Sequence, residues 1–162
     1  MLKVVLDTNV LLDLFGASSE ADALQAKALV AELARHSETP ICTPAILKDF
    51  AYLYPLRLKS VIRAEKGSFD ESDAACVAQC ASAAVASLME LCAVASEGMV
   101  DCEMARLMCK QHADFEDNVI AAVARRIDAD YIVTRDERFM RHCPIACLSP
   151  ADMVAHLQAG TA

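Results

Sequence analysis

No segment of this chain reads as a signal peptide, no cysteine pair has Cys-x-x-Cys spacing, and basic residues are in the minority, 15 Lys and Arg against 23 Asp and Glu. Each absence removes a class of function. The N-terminal apolar run is broken by Asp7, well short of a targeting core. The longest apolar region, Ala74 to Met89, holds Gln79 and several serines and falls short of the roughly 20 residues that span a bilayer. The expectation is a cytoplasmic protein with no membrane contact. The eight cysteines include an i,i+4 pair, Cys76 and Cys80, but no nearby histidine pair completes a metal site, and Pro144 separates Cys143 from Cys147. They are expected to be reduced, mostly buried thiols acting as small hydrophobes. A net charge of −8 argues against a general nucleic-acid coat protein, whose phosphate contacts show as a basic surface. There is no internal repeat and no low-complexity linker.

What is present is apolar: 56% of 162 residues, much of it Ala, enough for one helix-rich domain over residues 1–162 with a full core. The run Lys3-Val4-Val5-Leu6 is too short for a helix, is rich in β-branched residues and ends on Asp7, which predicts a buried central strand. A short helix follows, with Leu11, Leu12, Leu14 and Phe15, stopped by Gly16. A capping box at Ser19-x-x-Asp22 opens a helix to about Arg35. Thr39 to Cys42 predicts a second strand, and Thr43-Pro44 the start of a helix that Pro55 kinks or ends. Further helices are predicted over Ser72–Leu91, Val100–Gln111 and from about Asp114 to Ile127, with a short strand at Leu91–Ala95. Tyr131–Thr134 and Ile145–Leu148 predict two more strands, and Ser149-Pro150 caps a final helix. This alternation predicts an α/β fold, a three-layer α/β/α sandwich around a mostly parallel sheet of about four or five strands.

The acids carry the chemistry. Asp7 and Asp136 each follow a strand, where open parallel sheets bind their ligands. Asp49 shares the inward helical stripe of Ile46, Phe50 and Leu53, and a carboxylate there needs a function or a nearby Lys or Arg. Asp117 begins the stripe continued by Ile120, Ala121 and Ala124, whereas Asp114 and Glu116 are explained equally well as residues suited to a helix N-terminus. If these acids converge, close pairs repel by roughly 4 kcal/mol at an effective dielectric near 20, so the cluster either holds protons or binds a cation. All-oxygen ligation favours Mg²⁺ or Mn²⁺ over zinc. Basic residues gather at Arg57, Lys59, Arg63 and Lys66 and again from Arg125 to Arg141, a rim suited either to a polyanion or to plain solvation.

Taken in order, Leu6-Asp7-Thr8-Asn9-Val10-Leu11-Leu12, Thr43-Pro44-x-x-Leu47-x-Asp49, Asp114-Phe115-Glu116-Asp117-Asn118 and Ile132-Val133-Thr134-Arg135-Asp136 resemble the PIN domain family, in the spacing of VapC-type toxins and their relatives. The match leaves a helical insertion at roughly 57–99. The resemblance implies a Mg²⁺- or Mn²⁺-dependent endoribonuclease using metal-activated water. It implies metal ligands at Asp7, Asp117 and Asp136, and a fourth catalytic acid at Asp49. Asn9, Thr134 and Asp114 would support them, with Arg135 and Arg138 as candidates for gripping RNA phosphates. A small antitoxin protein and a homodimeric state are further expectations. One departure is Asp49 itself: the family often has Glu there, and Asp114 or Glu116 are alternatives. The competing reading is a PIN-like domain without turnover that binds RNA or protein. A dehalogenase-type phosphatase would need a second Asp where Asn9 stands, and a receiver domain a Lys after the last strand, where Ser149-Pro150 follows instead.

Overall fold

The computed structural model describes residues 2–160. Five parallel strands, β1 (Val4–Leu6), β2 (Ile41–Cys42), β3 (Ala93–Val94), β4 (Tyr131–Val133) and β5 (Cys147–Leu148), form one sheet in the order β3-β2-β1-β4-β5. Helices flank it: α1 (Thr8–Leu14), α2 (Glu20–Arg35), α3 (Pro44–Lys66), α4 (Glu71–Leu91), α5 (Met99–Met108), α6 (Phe115–Arg126), α7 (Glu137–His142) and α8 (Pro150–Ala159). The expected α/β architecture is therefore present, and the sheet is entirely parallel.

β1 is central because its sequence can tolerate both faces being covered: Val4, Val5 and Leu6 are fully buried. After β3 the chain crosses to the other side of β1, so β1 and β4 flank the switch point of the topology. Their register pairs Leu6 with Val133, which leaves Asp7 and Thr134 as neighbouring exits at the same edge. The amide of Asp7 continues the ladder to the Val133 carbonyl at 3.0 Å.

Side-chain caps start the helices where the sequence places them. Ser19 accepts from the Asp22 amide, Thr43 from Ile46 and Ser149 from Asp152, while Asp70 and Asp73 form a reciprocal box. Of the two expectations at Pro55, an end to the helix is excluded: α3 runs through it to Gly67, which takes the left-handed conformation (φ 72°) as C-cap. A proline deprives only the carbonyl four residues back of its donor, and Ala51 lies on the exposed side. Phe50 and Tyr54, stacked at 5.1 Å and edge-on to Phe15, hold that stretch to the core. The stretch 57–99 comprises the rest of α3, the antiparallel α4 and strand β3, which pairs with β2 and so forms the sheet's edge.

Two expectations are corrected here. The cysteines are all free thiols, but only Cys42 and Cys92 are buried; Cys76 and Cys80 are exposed and the other four are intermediate. The reason is α4, whose Ala-rich sequence packs a single stripe of Val77, Ala84 and Leu88 and leaves the rest to solvent. The apolar stretch expected to be too short for a bilayer also lies within a 21-residue helix, Glu71–Leu91, long and apolar enough to cross one by length and composition. In this fold that helix packs against α3.

Candidate active site

Strand ends and helix starts coincide at the site: Asp7 and Asp136 are helix N-caps, and Asp117 lies in the first turn of a helix. Asp7 closes β1 and caps α1: its Oδ1 accepts from the Thr8 amide at 2.6 Å. Its Oδ2 accepts from the Thr134 hydroxyl at 2.6 Å and from the Asn9 side-chain amide at 2.5 Å. Thr134, fully buried just past β4, uses its whole hydrogen-bonding capacity: it donates to Asp7 and accepts from Asn9 and from the Asp136 amide, both at 3.0 Å. The Asn9 carbonyl oxygen accepts from the Arg135 amide at 3.1 Å. One asparagine and one threonine thus tie the β1–α1 turn to the β4–α7 turn.

Asp136 caps α7, its Oδ1 accepting from the Arg138 and Phe139 amides at 2.8 and 3.0 Å. Asp114 caps α6 through the Glu116 and Asp117 amides, which makes it a helix-terminal residue. Asp117 in the first turn of α6 sits 2.9 Å from His112 Nε2 through its Oδ2. His112 lies in the loop between α5 and α6 at no helical spacing from Asp117, so pattern alone does not expose the contact.

The electrostatics bind three of these acids into one unit. Burial pushes the Asp7 carboxyl up to about 6; bonds from Thr134 and the Thr8 amide oppose this, and the charges of Asp117 and Asp136 add to it. Asp117 is also raised, first by burial, with His112 opposing and Asp114 and Asp136 adding. Asp49 belongs elsewhere. Its Oδ1 pairs with Lys48 at 3.0 Å, and its buried Oδ2 meets no amide or cationic donor. The neighbouring Glu116 carboxyl, an alternative to Asp49 in the sequence, is pushed up to about 8, chiefly by Asp49 and then by burial.

The arginine rim is mostly engaged in the fold. Arg135 reaches Asp13, which has no exposure, with Nη2 at 2.7 Å from Oδ1 and Nε at 2.5 Å from Oδ2, and lies 3.2 Å from Asp22. This candidate for an RNA phosphate is thus engaged within the fold: α1 places Asp13 in its buried face, and a buried carboxylate draws the nearest guanidinium. Arg126 similarly pairs with the buried Asp101 at 2.8 Å, and Arg57 donates to Ala17 and Ser18. Arg138 is exposed and makes no ion pair among the described residues.

Three carboxylates and no thiolate is a donor set suited to a hard divalent cation. Among the described residues no three His, Cys, Asp or Glu side chains stand as a ready-made metal-binding group. Asp117 and Asp136 lie near enough to Asp7 for their charges to add to its raised pKa, while each of the three has turned at least one oxygen to a donor in its own loop or helix start. Those donors leave each carboxylate further lone pairs, so the set fits such an ion chemically, with convergence of the side chains still required.

An all-parallel sheet of order 3-2-1-4-5 with acids gathered at its switch point defines a class of α/β protein, and the sequence comparison gives that class its name. Residues 3–138 match the PIN domain, and the chain belongs to the PIN domain family, whose members are generally nucleases. Solved structures share the fold at low identity. PAE2754 from Pyrobaculum aerophilum aligns at TM-score 0.60 and 14% identity over 98% of this chain and 90% of its own. Mycobacterium tuberculosis VapC20, described as a sarcin–ricin loop cleaving toxin, aligns at 0.59 and 18% over 86% and 94%. Rickettsia felis VapBC2, bound to a DNA fragment from its promoter, aligns at 0.57 and 11% over 91% and 98%. No curated protein matches this chain in sequence.

Proposed function

We propose that this protein is a Mg²⁺- or Mn²⁺-dependent endoribonuclease, the toxin of a toxin–antitoxin pair acting in the cytoplasm. The observation that carries the reading is the placement of Asp7 and Asp136 just past the neighbouring strands β1 and β4, with Asp117 near enough that its charge and that of Asp136 add to the burial that raises Asp7. Acids held together against their own repulsion are what a cation site requires, and these three would hold the ion. Bound there, a divalent cation supplies charge neutralisation at a phosphodiester and a lowered pKa for an attacking water. The remaining work falls to the chain. Thr134, Asn9 and the Thr8 amide fix the Asp7 carboxylate; Asp136 is held by the first turn of α7; and the exposed Arg138, two residues on, would meet an RNA phosphate.

The toxin assignment, the antitoxin partner and a homodimer follow from the kinship with VapC-type proteins. The test is incubation of mixed-sequence RNA with purified protein and Mn²⁺. Cleavage is expected, with loss on chelation and in Asp7→Asn; full activity of Asp7→Asn defeats the proposal. A second reading, a PIN-like module that binds RNA or protein without cutting, draws on the engagement of Asp49 with Lys48 and Glu116. RNA binding with no cleavage under any divalent metal would favour it.

A further inference from the structure

We propose that His112 is a positioning residue for Asp117, holding one carboxylate oxygen so that the other faces Asp7 and Asp136. The inference rests on the nuclease reading of the site. A carboxylate only accepts, so the 2.9 Å contact requires His112 Nε2 to carry hydrogen and donate it to Asp117 Oδ2. With Oδ2 fixed from the α5–α6 side, the rotation of the carboxylate about its own bond is set, and Oδ1 is left for the acidic centre.

The imidazole is itself held from three directions. Its ring stacks on Phe139 at 6.4 Å and on His142 at 5.4 Å, within 20° of parallel in both cases (interplanar angles 18° and 19°). Its backbone carbonyl accepts from the Asn118 side-chain amide at 2.7 Å, and Asn118 is only 2% exposed. His112 is 4% exposed against 20% for the Asp117 side chain, so the orienting group is more deeply set than the group it orients. Phe139 and His142 both belong to α7, whose N-cap is Asp136. The same ring therefore references Asp117 to the helix that presents Asp136, which a residue serving only to fill space would not need to do. Groups placed this way behind metal-binding carboxylates typically change affinity or activity by roughly 10–100-fold when removed.

The experiment compares His112→Phe, which keeps a stacking ring and loses the donor, with His112→Gln, which keeps an N–H donor. Mn²⁺ affinity is measured by calorimetry, and RNA cleavage is resolved into kcat and KM. His112→Phe is expected to weaken Mn²⁺ binding by roughly 10-fold or more and to lower kcat with KM for RNA unchanged, at a wild-type melting temperature; His112→Gln recovers most of both. Wild-type Mn²⁺ affinity in His112→Phe, or equal losses in the two variants, overturns the role. If His112→Phe does not fold, His112→Gln against His112→Met poses the same donor comparison. A wild-type protein that neither binds Mn²⁺ nor cuts RNA instead defeats the nuclease reading, and the positioning role falls with it.

Discussion

Asp7→Asn separates stability from activity, and its effect can be worked out from the site. Asp7 has an ordinary carboxyl pKa of 3.8 unfolded and about 6 folded, with burial the largest cause. A raised folded value means that the protonated form is the one the fold prefers. Below about pH 4 Asp7 is protonated in both states and carries no penalty; as pH rises the unfolded chain ionises first, and stability falls until the folded group also ionises near its raised pKa. The difference amounts to about 3 kcal/mol lost between about pH 4 and pH 7. Asparagine cannot ionise, so this slope vanishes in the variant. The substitution also forfeits hydrogen bonds, because one carbonyl must replace two acceptor oxygens facing Thr8, Asn9 and Thr134, but that loss does not vary with pH. Urea unfolding with chelator present, at intervals from about pH 4 to about pH 8, should show wild-type stability falling by about 3 kcal/mol relative to Asp7→Asn. The raised values of Asp117 and Glu116 contribute with the same sign to both proteins and largely cancel in the comparison. A difference that stays flat across this range would refute the view that the acids are held under strain.

Arg135→Ala should destabilise the protein by about 3–5 kcal/mol in urea unfolding, because it leaves Asp13 charged and fully buried without a partner; a loss below about 1 kcal/mol would show that the pair does not hold α1 to the β4–α7 turn. Arg138→Ala should leave the melting temperature unchanged, since its backbone amide still caps α7. It should weaken RNA binding across sequences and reduce the slope of log affinity against log salt by about 1. Arg135→Ala and Arg138→Ala thus discriminate a structural cation from a substrate cation three positions away.

Much of the frame was legible because local chemistry and global placement agree. Val4-Val5-Leu6 is apolar on every side and can only be a strand covered on both faces, and Ser19, Thr43 and Ser149 start helices by capping them. That α3 continues past Pro55 was not legible because the cost of a proline is local, whereas its tolerance depends on Phe15, Phe50 and Tyr54 meeting in space. The exposure of Cys76 and Cys80 was hidden for the converse reason: an alanine-rich helix is apolar all round and does not declare how narrow its buried stripe will be.

At the site, the chain's own order singled out the candidate acids: Asp7 and Asp136 follow strands, and Asp117 opens an inward helical stripe, features of spacing that a one-dimensional reading can see. Pairings across long separations were decided only in three dimensions. Arg135 lies next to Asp136 in sequence yet turns to Asp13, and Asp49 finds Glu116 and His112 finds Asp117 across loops with no periodicity to announce them. Strand and helix periods record which face a residue shows. Which charge or donor stands opposite depends on the register of β1 against β4 and the path of the α5–α6 loop, and those are set by packing of the whole domain.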